Sequence, residues 1–164
     1  MSHIVYENEY FQVFLNNNVL SLNNIKGGAA ILPLTIDKKV ILMKIFRKNI
    51  NQDSWEIPGG FTEKGEESNV TAQREMLEEI SCISQEIISL GYMYTDTGLM
   101  NSKVYLYLGK DTSVKKDQLQ TTEGVKSIRL VDFEDAYNMA LDGEINDSYT
   151  LVAILRSKKY VDEL

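Results

Sequence analysis

A strand-like WEI triplet at 55–57 runs through Pro58-Gly59-Gly60 into FTEKGEESNVTAQREMLEEI, and this junction constrains the chain more than any other stretch. The adjacent glycines let the backbone turn tightly and approach a ligand closely. From Glu66 to Ile80 the pattern is helical. At about 100° per residue, with Glu75 set to 0°, Glu79 falls near 40° and Glu78 near 300°. Ala72, Met76, Ile80, Leu77 and Val70 occupy roughly 60° to 220° on the same wheel, and Arg74 lies beside Glu78 at about 260°. The spacing therefore predicts a helix whose apolar stripe faces a core while three carboxylates share another face.

The charge is focused on the same segment. The formal net charge is −7, and residues 51–80 alone hold eight acids against Lys64 and Arg74. A uniformly acidic surface would suggest only solubility; a local deficit suggests a cation site. The bland reading of Glu75, Glu78 and Glu79 is a solvated helix face, which is what charge runs usually are. Two details weigh against it. A merely solvated helix mixes Lys with Glu at i,i+4, whereas this face is uniformly acidic. The helix also follows a strand and a glycine turn, a common way to present a helix at a ligand site. Carboxylates with no cation would raise one another's pKa. Oxygen donors without His or Cys favour Mg²⁺ or Mn²⁺ over zinc. A metal could then bridge this face to a diphosphate, which points to metal-assisted attack of water on phosphorus.

Several function classes are disfavoured. No segment is basic enough for a duplex nucleic-acid footprint. The apolar run VILMKIF at 40–46 is too short to span a bilayer, and MSHIVYENEY lacks the pattern of a signal peptide. The single cysteine, Cys82, excludes an internal disulfide, so a cytoplasmic protein is expected. His3 is the only histidine, which argues against histidine acid–base chemistry and polyhistidine zinc sites.

At 164 residues the chain suits one domain over 1–164, with an N-terminal strand and hairpin region at 1–25 and a core from 26. YFQVFL and VLSLN flank an NNN turn at 16–18 and predict a hairpin. GGAAILPLT (27–35) and KVILMKIFR (39–47) predict buried strands, and further strands are expected at 84–94, 103–109 and 125–131. TDTGLMNS between two of these reads as a loop. Two more helices should begin near Asp132 and Asp147. The fold class is α/β or α+β, mixed strands layered with three helices.

Gly60, Glu66, Arg74, Glu75, Met76, Glu78 and Glu79 fall in register with the pattern G-x5-E-x7-R-E-U-x-E-E-x-G-U, where U is aliphatic. That pattern is the Nudix hydrolase box, and the chain resembles this family. Ser81 replaces the last glycine and Cys82 takes the final apolar place. The resemblance implies a mixed sheet sandwiched between helices and Mg²⁺- or Mn²⁺-dependent hydrolysis, with one to three ions. It makes Glu75, Glu79 and the Gly59 carbonyl metal ligands. Glu78 is implied as a further ligand or water activator, and Glu66 with Arg74 as a bracing ion pair.

More of the chain resembles the ADP-ribose pyrophosphatase branch, through GGAAILPLT, KVILMKIFRKN, WEIPGG and GEINDSYTLVAIL at 143–155. That likeness implies a nucleoside diphosphate sugar as substrate and a homodimer built through the N-terminal strands. Gly60 would lie against the substrate and Arg47 could reach a phosphate or base; its bland reading is an exposed strand-end arginine. The branch often carries Ser-Pro-Gly and then a glutamate base in the loop after the box. Here Gly98 fits, but Ser102 stands where the glutamate would be, moving the base role toward Glu78 or Glu79. Asp96 reads as a turn residue. Tyr94, with Tyr92, Tyr105 and Tyr107, could stack on a nucleobase, although alternate strand residues more often pack across strands. The alternatives are a nucleoside triphosphate, dinucleotide or GDP-sugar pyrophosphohydrolase, or a non-enzymatic sensor of ADP-ribose or NAD.

Overall fold

The computed structural model describes residues 3–115 and 124–163. In chain order the elements are β1 (His3–Glu7), β2 (Phe11–Asn16), β3 (Val19–Asn24), β4 (Gly28–Pro33), β5 (Lys39–Arg47), β6 (Gln52–Glu56) and β7 (Gly59–Phe61). Then follow α1 (Ser68–Ile80), β8 (Cys82–Ile83), β9 (Glu86–Tyr94), β10 (Met100–Asn101), β11 (Lys103–Lys110), β12 (Ser113–Val114), β13 (Val125–Asp132), α2 (Phe133–Leu141) and α3 (Ser148–Asp162).

Strands β7, β4, β11 and β9 form one mixed sheet in that order, and β13, β5 and β6 form an antiparallel second one. β4 and β11 run parallel, in register from Gly28 with Val104 to Pro33 with Gly109. Alternation along β4 splits the interior in two. Ala29 and Ile31 join Ile41, Met43, Ala72, Met76 and Ile80 under α1. Ala30 and Leu32 join Leu42, Leu106, Phe133 and Ile154 on the side of α2 and α3. Both faces are thus covered, which is why β4 and β5 read as apolar runs without alternation. Each fully buried Leu or Ile here contributes about 1.5–3 kcal/mol. The result is the expected mixed sheet between helices.

The N-terminal hairpin turns on Asn17 and Asn18, with φ of 47° and 63°, the two left-handed residues a tight hairpin requires. β1, which has no strong sequence signal, pairs with β2 and extends this sheet. The TDTGLMNS loop carries one short strand, β10, parallel to β3.

Helix α1 departs from expectation in two ways. It begins at Ser68 and not at Glu66, because the Glu66 carboxylate is used locally: it accepts from the Glu63 amide at 3.1 Å and the Thr71 hydroxyl at 2.8 Å. Val70, placed in the apolar stripe by the wheel, is 48% exposed, because it sits in the first turn beyond the edge of the core. At the other end Ser81 occupies the left-handed region (φ 54°, ψ 33°) and its amide caps the Leu77 carbonyl. The serine therefore adopts the backbone conformation that glycine provides in the box pattern. Among the described residues no helix is long and apolar enough to cross a membrane.

Candidate active site

The candidate site starts from the strand–turn–helix junction. β6 leads through Pro58 into β7, whose Gly59, Gly60 and Phe61 pair with Ala30, Ala29 and Gly28. Pairing at that distance leaves no room for side chains: a Cβ on Gly59 would lie 2.7 Å from the Ala30 Cβ and 2.8 Å from the Ala29 carbonyl. A Cβ on Gly60 would collide instead with the Glu75 carboxylate, so α1 lies directly over this turn. The Gly59 amide donates to Glu79 Oε2 at 3.0 Å.

Glu75 and Glu79 are half-buried while Glu78 is exposed, so the acidic face is not uniformly solvated. Burial pushes the Glu79 carboxyl up to about 7, helped by neighbouring Glu75 and opposed by the Gly59 amide and Arg47. Glu75 is raised as well, by burial, against the pull of Arg74. Arg74 is a hub. Its Nε and Nη2 bond Glu66 at 3.0 and 3.2 Å, and Nη1 bonds Glu75 at 2.8 Å and Glu78 at 3.0 Å. Its Nη2 also donates to the Phe61 carbonyl at 3.1 Å, tying the helix to the turn. The arginine hydrogen bonds in turn hold the Glu66 carboxyl down to about 2.

A second group lies next to the first. Arg47 Nε donates to Glu56 Oε1 at 2.8 Å and Nη2 to Oε2, a bidentate pair whose acid side chain is only 6% exposed. Asp147 caps α3 by accepting from the Thr150 amide at 2.9 Å, and burial raises its carboxyl. Arg47 lines two cavities. One, of about 220 Å³, also includes Gly59, Gly60, Phe61, Val104 and Tyr149. The other, of about 620 Å³, includes Glu56, Gln52, Asn146, Asp147 and Ser148.

The structure thus brings together Gly59, Gly60, Glu66, Arg74, Glu75, Glu78 and Glu79, and Arg47 lines a cavity with Gly59 and Gly60. Gly98 lines a different cleft with Phe14, Leu22 and Leu99. Tyr94 packs edge-on against Tyr92, 5.8 Å between centroids, and Tyr92 in turn against Tyr105. Ser102 is buried and accepts from the Asn24 side-chain amide at 3.0 Å. Asp96 accepts from the amides of Gly98 and Leu99 within its own loop. Sequence reasoning gave no site role to Glu56 or Thr150 and read Asp147 only as a helix start. The usable signal was a charged residue within WEI, between positions that must be buried, since a buried charge demands a partner.

Oxygen-only donors on a desolvated carboxylate pair fit a hard divalent cation. As the side chains stand, no three acidic, His or Cys groups among the described residues converge on one point. Arg74 holds Glu75 and Glu78, and Gly59 holds Glu79.

The model of the NUDIX domain matches residues 25–153. The chain belongs to the Nudix family. It is 35% identical over 130 residues to an ADP-ribose pyrophosphatase of Bacillus subtilis, covering 78% of this chain and 70% of that one. It is 31% identical over an equal length to a methanol dehydrogenase activator of Bacillus methanolicus, with the same coverage. A solved ADP compounds hydrolase superposes with a TM-score of 0.79 over 99% of this chain and 92% of its own, at 15% identity, a likeness of fold. The chain keeps the box from Gly60 to Glu79, and it is a Nudix hydrolase.

Proposed function

We propose that the chain hydrolyses the diphosphate bond of ADP-ribose or a related nucleoside diphosphate sugar in the presence of Mg²⁺, releasing a nucleoside monophosphate and a sugar phosphate. The observation that carries this is the half-buried Glu79 carboxylate, beside Glu75, with the Gly59 amide on its Oε2. Glu75, Glu79 and the Gly59 carbonyl would hold the ion, with Glu78 at the margin. When bound, Mg²⁺ would neutralise diphosphate oxygens and make phosphorus more electrophilic.

The chain's own residues supply the rest. Gly59 takes Glu79 Oε2, leaving Oε1 for the ion or for the proton of the attacking water. Arg74 fixes the direction of Glu75 and Glu78, and Glu66 fixes Arg74. Arg47, half-exposed between the two cavities, would meet the substrate's phosphates. The identity to an ADP-ribose pyrophosphatase supports the substrate class. Exposed Ile4, Val5, Tyr6 and Val19 on the N-terminal sheet support a homodimer through that sheet, which a sedimentation mass of twice the chain would verify.

The test is a panel of nucleoside diphosphate sugars, nucleoside triphosphates and dinucleotides incubated with Mg²⁺, with products separated by chromatography. Turnover of ADP-ribose to a nucleoside monophosphate and a sugar phosphate is expected. Inorganic pyrophosphate released from triphosphates as the main activity would replace this reading, and ADP-ribose binding without turnover would point to a sensor.

A further inference from the structure

The C-terminal motif around Asp147 and Thr150 has no part in the chemistry above, yet it is bonded to the backbone that carries Gly59. Thr150 Oγ1 donates to Asp147 Oδ2 at 2.7 Å and accepts from the Ile57 amide at 3.0 Å. The acceptor is a carboxylate, so the hydroxyl hydrogen is committed to it and a lone pair faces Ile57. Both residues are buried, Thr150 fully and Ile57 at 4% exposed. The pairing of β5 with β6 ends at Glu56, so the ladder between those strands stops one residue before Ile57.

Three successive residues are then anchored to three different elements. The Ile57 amide is held by α3, the Pro58 carbonyl accepts from Ile31 on β4 at 3.0 Å, and the Gly59 amide donates to Glu79 on α1. Capping of α3 needs only the Asp147 bond to the Thr150 amide. The hydroxyl bridge to Ile57 goes beyond what the cap requires.

We infer that Thr150 is a positioning residue: its hydroxyl, aimed by Asp147, fixes the Ile57–Gly59 backbone and through it the Glu79 carboxylate. The inference rests on reading Gly59 and Glu79 as part of a hydrolytic site. Thr150→Val keeps the shape and removes the acceptor; Thr150→Ser restores it.

The experiment uses the full chain and two readouts. In metal-free protein, the Gly59 amide is followed by ¹⁵N NMR. Thr150→Val is expected to shift its resonance and speed its hydrogen exchange about tenfold or more, with Thr150→Ser close to wild type. With Mg²⁺ and ADP-ribose, well below the melting temperature, Thr150→Val is expected to lower kcat about 10- to 100-fold with KM changed less than about threefold, and Thr150→Ser to recover most of the loss. A fall in melting temperature alone, with the Gly59 amide and kcat unchanged, would make Thr150 a helix-docking residue and overturn the inference. A shifted Gly59 amide with unchanged kcat would overturn it equally. If wild-type protein hydrolyses no diphosphate, the substrate reading fails, while the Gly59 amide still decides whether Thr150 holds this backbone. Should Thr150→Val not fold, Thr150→Cys, a weak acceptor, takes its place with the same readouts.

Discussion

The Gly59 amide and Glu79 Oε2, twenty residues apart in sequence, are joined by a 3.0 Å hydrogen bond that pins α1 to the glycine turn. The bond leaves one carboxylate oxygen available and holds it where Glu75 is also present. Glu79→Gln keeps an acceptor for Gly59 but removes the charge. It is expected to lower kcat at least about a hundredfold at saturating Mg²⁺. In the wild type, Mg²⁺ at a hundred times its dissociation constant should add about 2.7 kcal/mol of stability, and the variant should lose most of that gain. Thermal melts with and without EDTA measure the second effect independently of turnover.

Gly59 and Gly60 should respond differently to alanine. At Gly59 the new methyl meets the Ala30 Cβ and β4 backbone, which cannot move without opening the sheet. At Gly60 it meets the end of a flexible side chain, Glu75. Gly60→Ala is therefore expected to leave the melting temperature within a few degrees of wild type yet lower kcat about tenfold or more, by displacing that carboxylate. Gly59→Ala should lose stability first. Paired melts and steady-state kinetics separate the two.

Acid stability should depend on Glu66. Its carboxyl is held down to about 2 in the folded state by Arg74, below the ordinary glutamate value in the unfolded chain. A depressed carboxyl stabilises fully above the unfolded value, and that stabilisation disappears as pH falls toward 2. Glu66→Gln is thus expected to cost about 1.5–3 kcal/mol at pH 7, the worth of hydrogen bonds to a charged partner. The gap between variant and wild type should narrow steadily below about pH 4. Urea melts across that range would show it, and a gap that stayed constant would refute the pairing.

Ser81 is a left-handed residue with a side chain, at φ 54°. Glycine has no steric penalty there, so Ser81→Gly is expected to stabilise the protein by about 0.5–1 kcal/mol, or roughly 1–4 °C, with kcat unchanged. Differential scanning calorimetry measures the shift.

The sequence alone determined the parts of this protein that follow a local period. Helix α1 and its carboxylates, the buried runs of β4 and β5 and the Asn17-Asn18 hairpin were legible because each depends on spacing within one segment. Arg74 with Glu66 was legible through the family likeness, and the two side chains lie 3.0 Å apart. Only the tertiary structure decided which carboxylates leave water, because burial depends on what packs above a helix face. Glu79 lies under the turn and Glu78 outside it, although the wheel places both on one face. The same holds for Glu56, Arg47, Asp147 and Thr150. Thr150 lies 93 residues from Ile57, whose amide it accepts, and no periodicity relates two segments that far apart. Their meeting is fixed by sheet order and helix docking, which satisfy buried polar groups wherever the chain brings them.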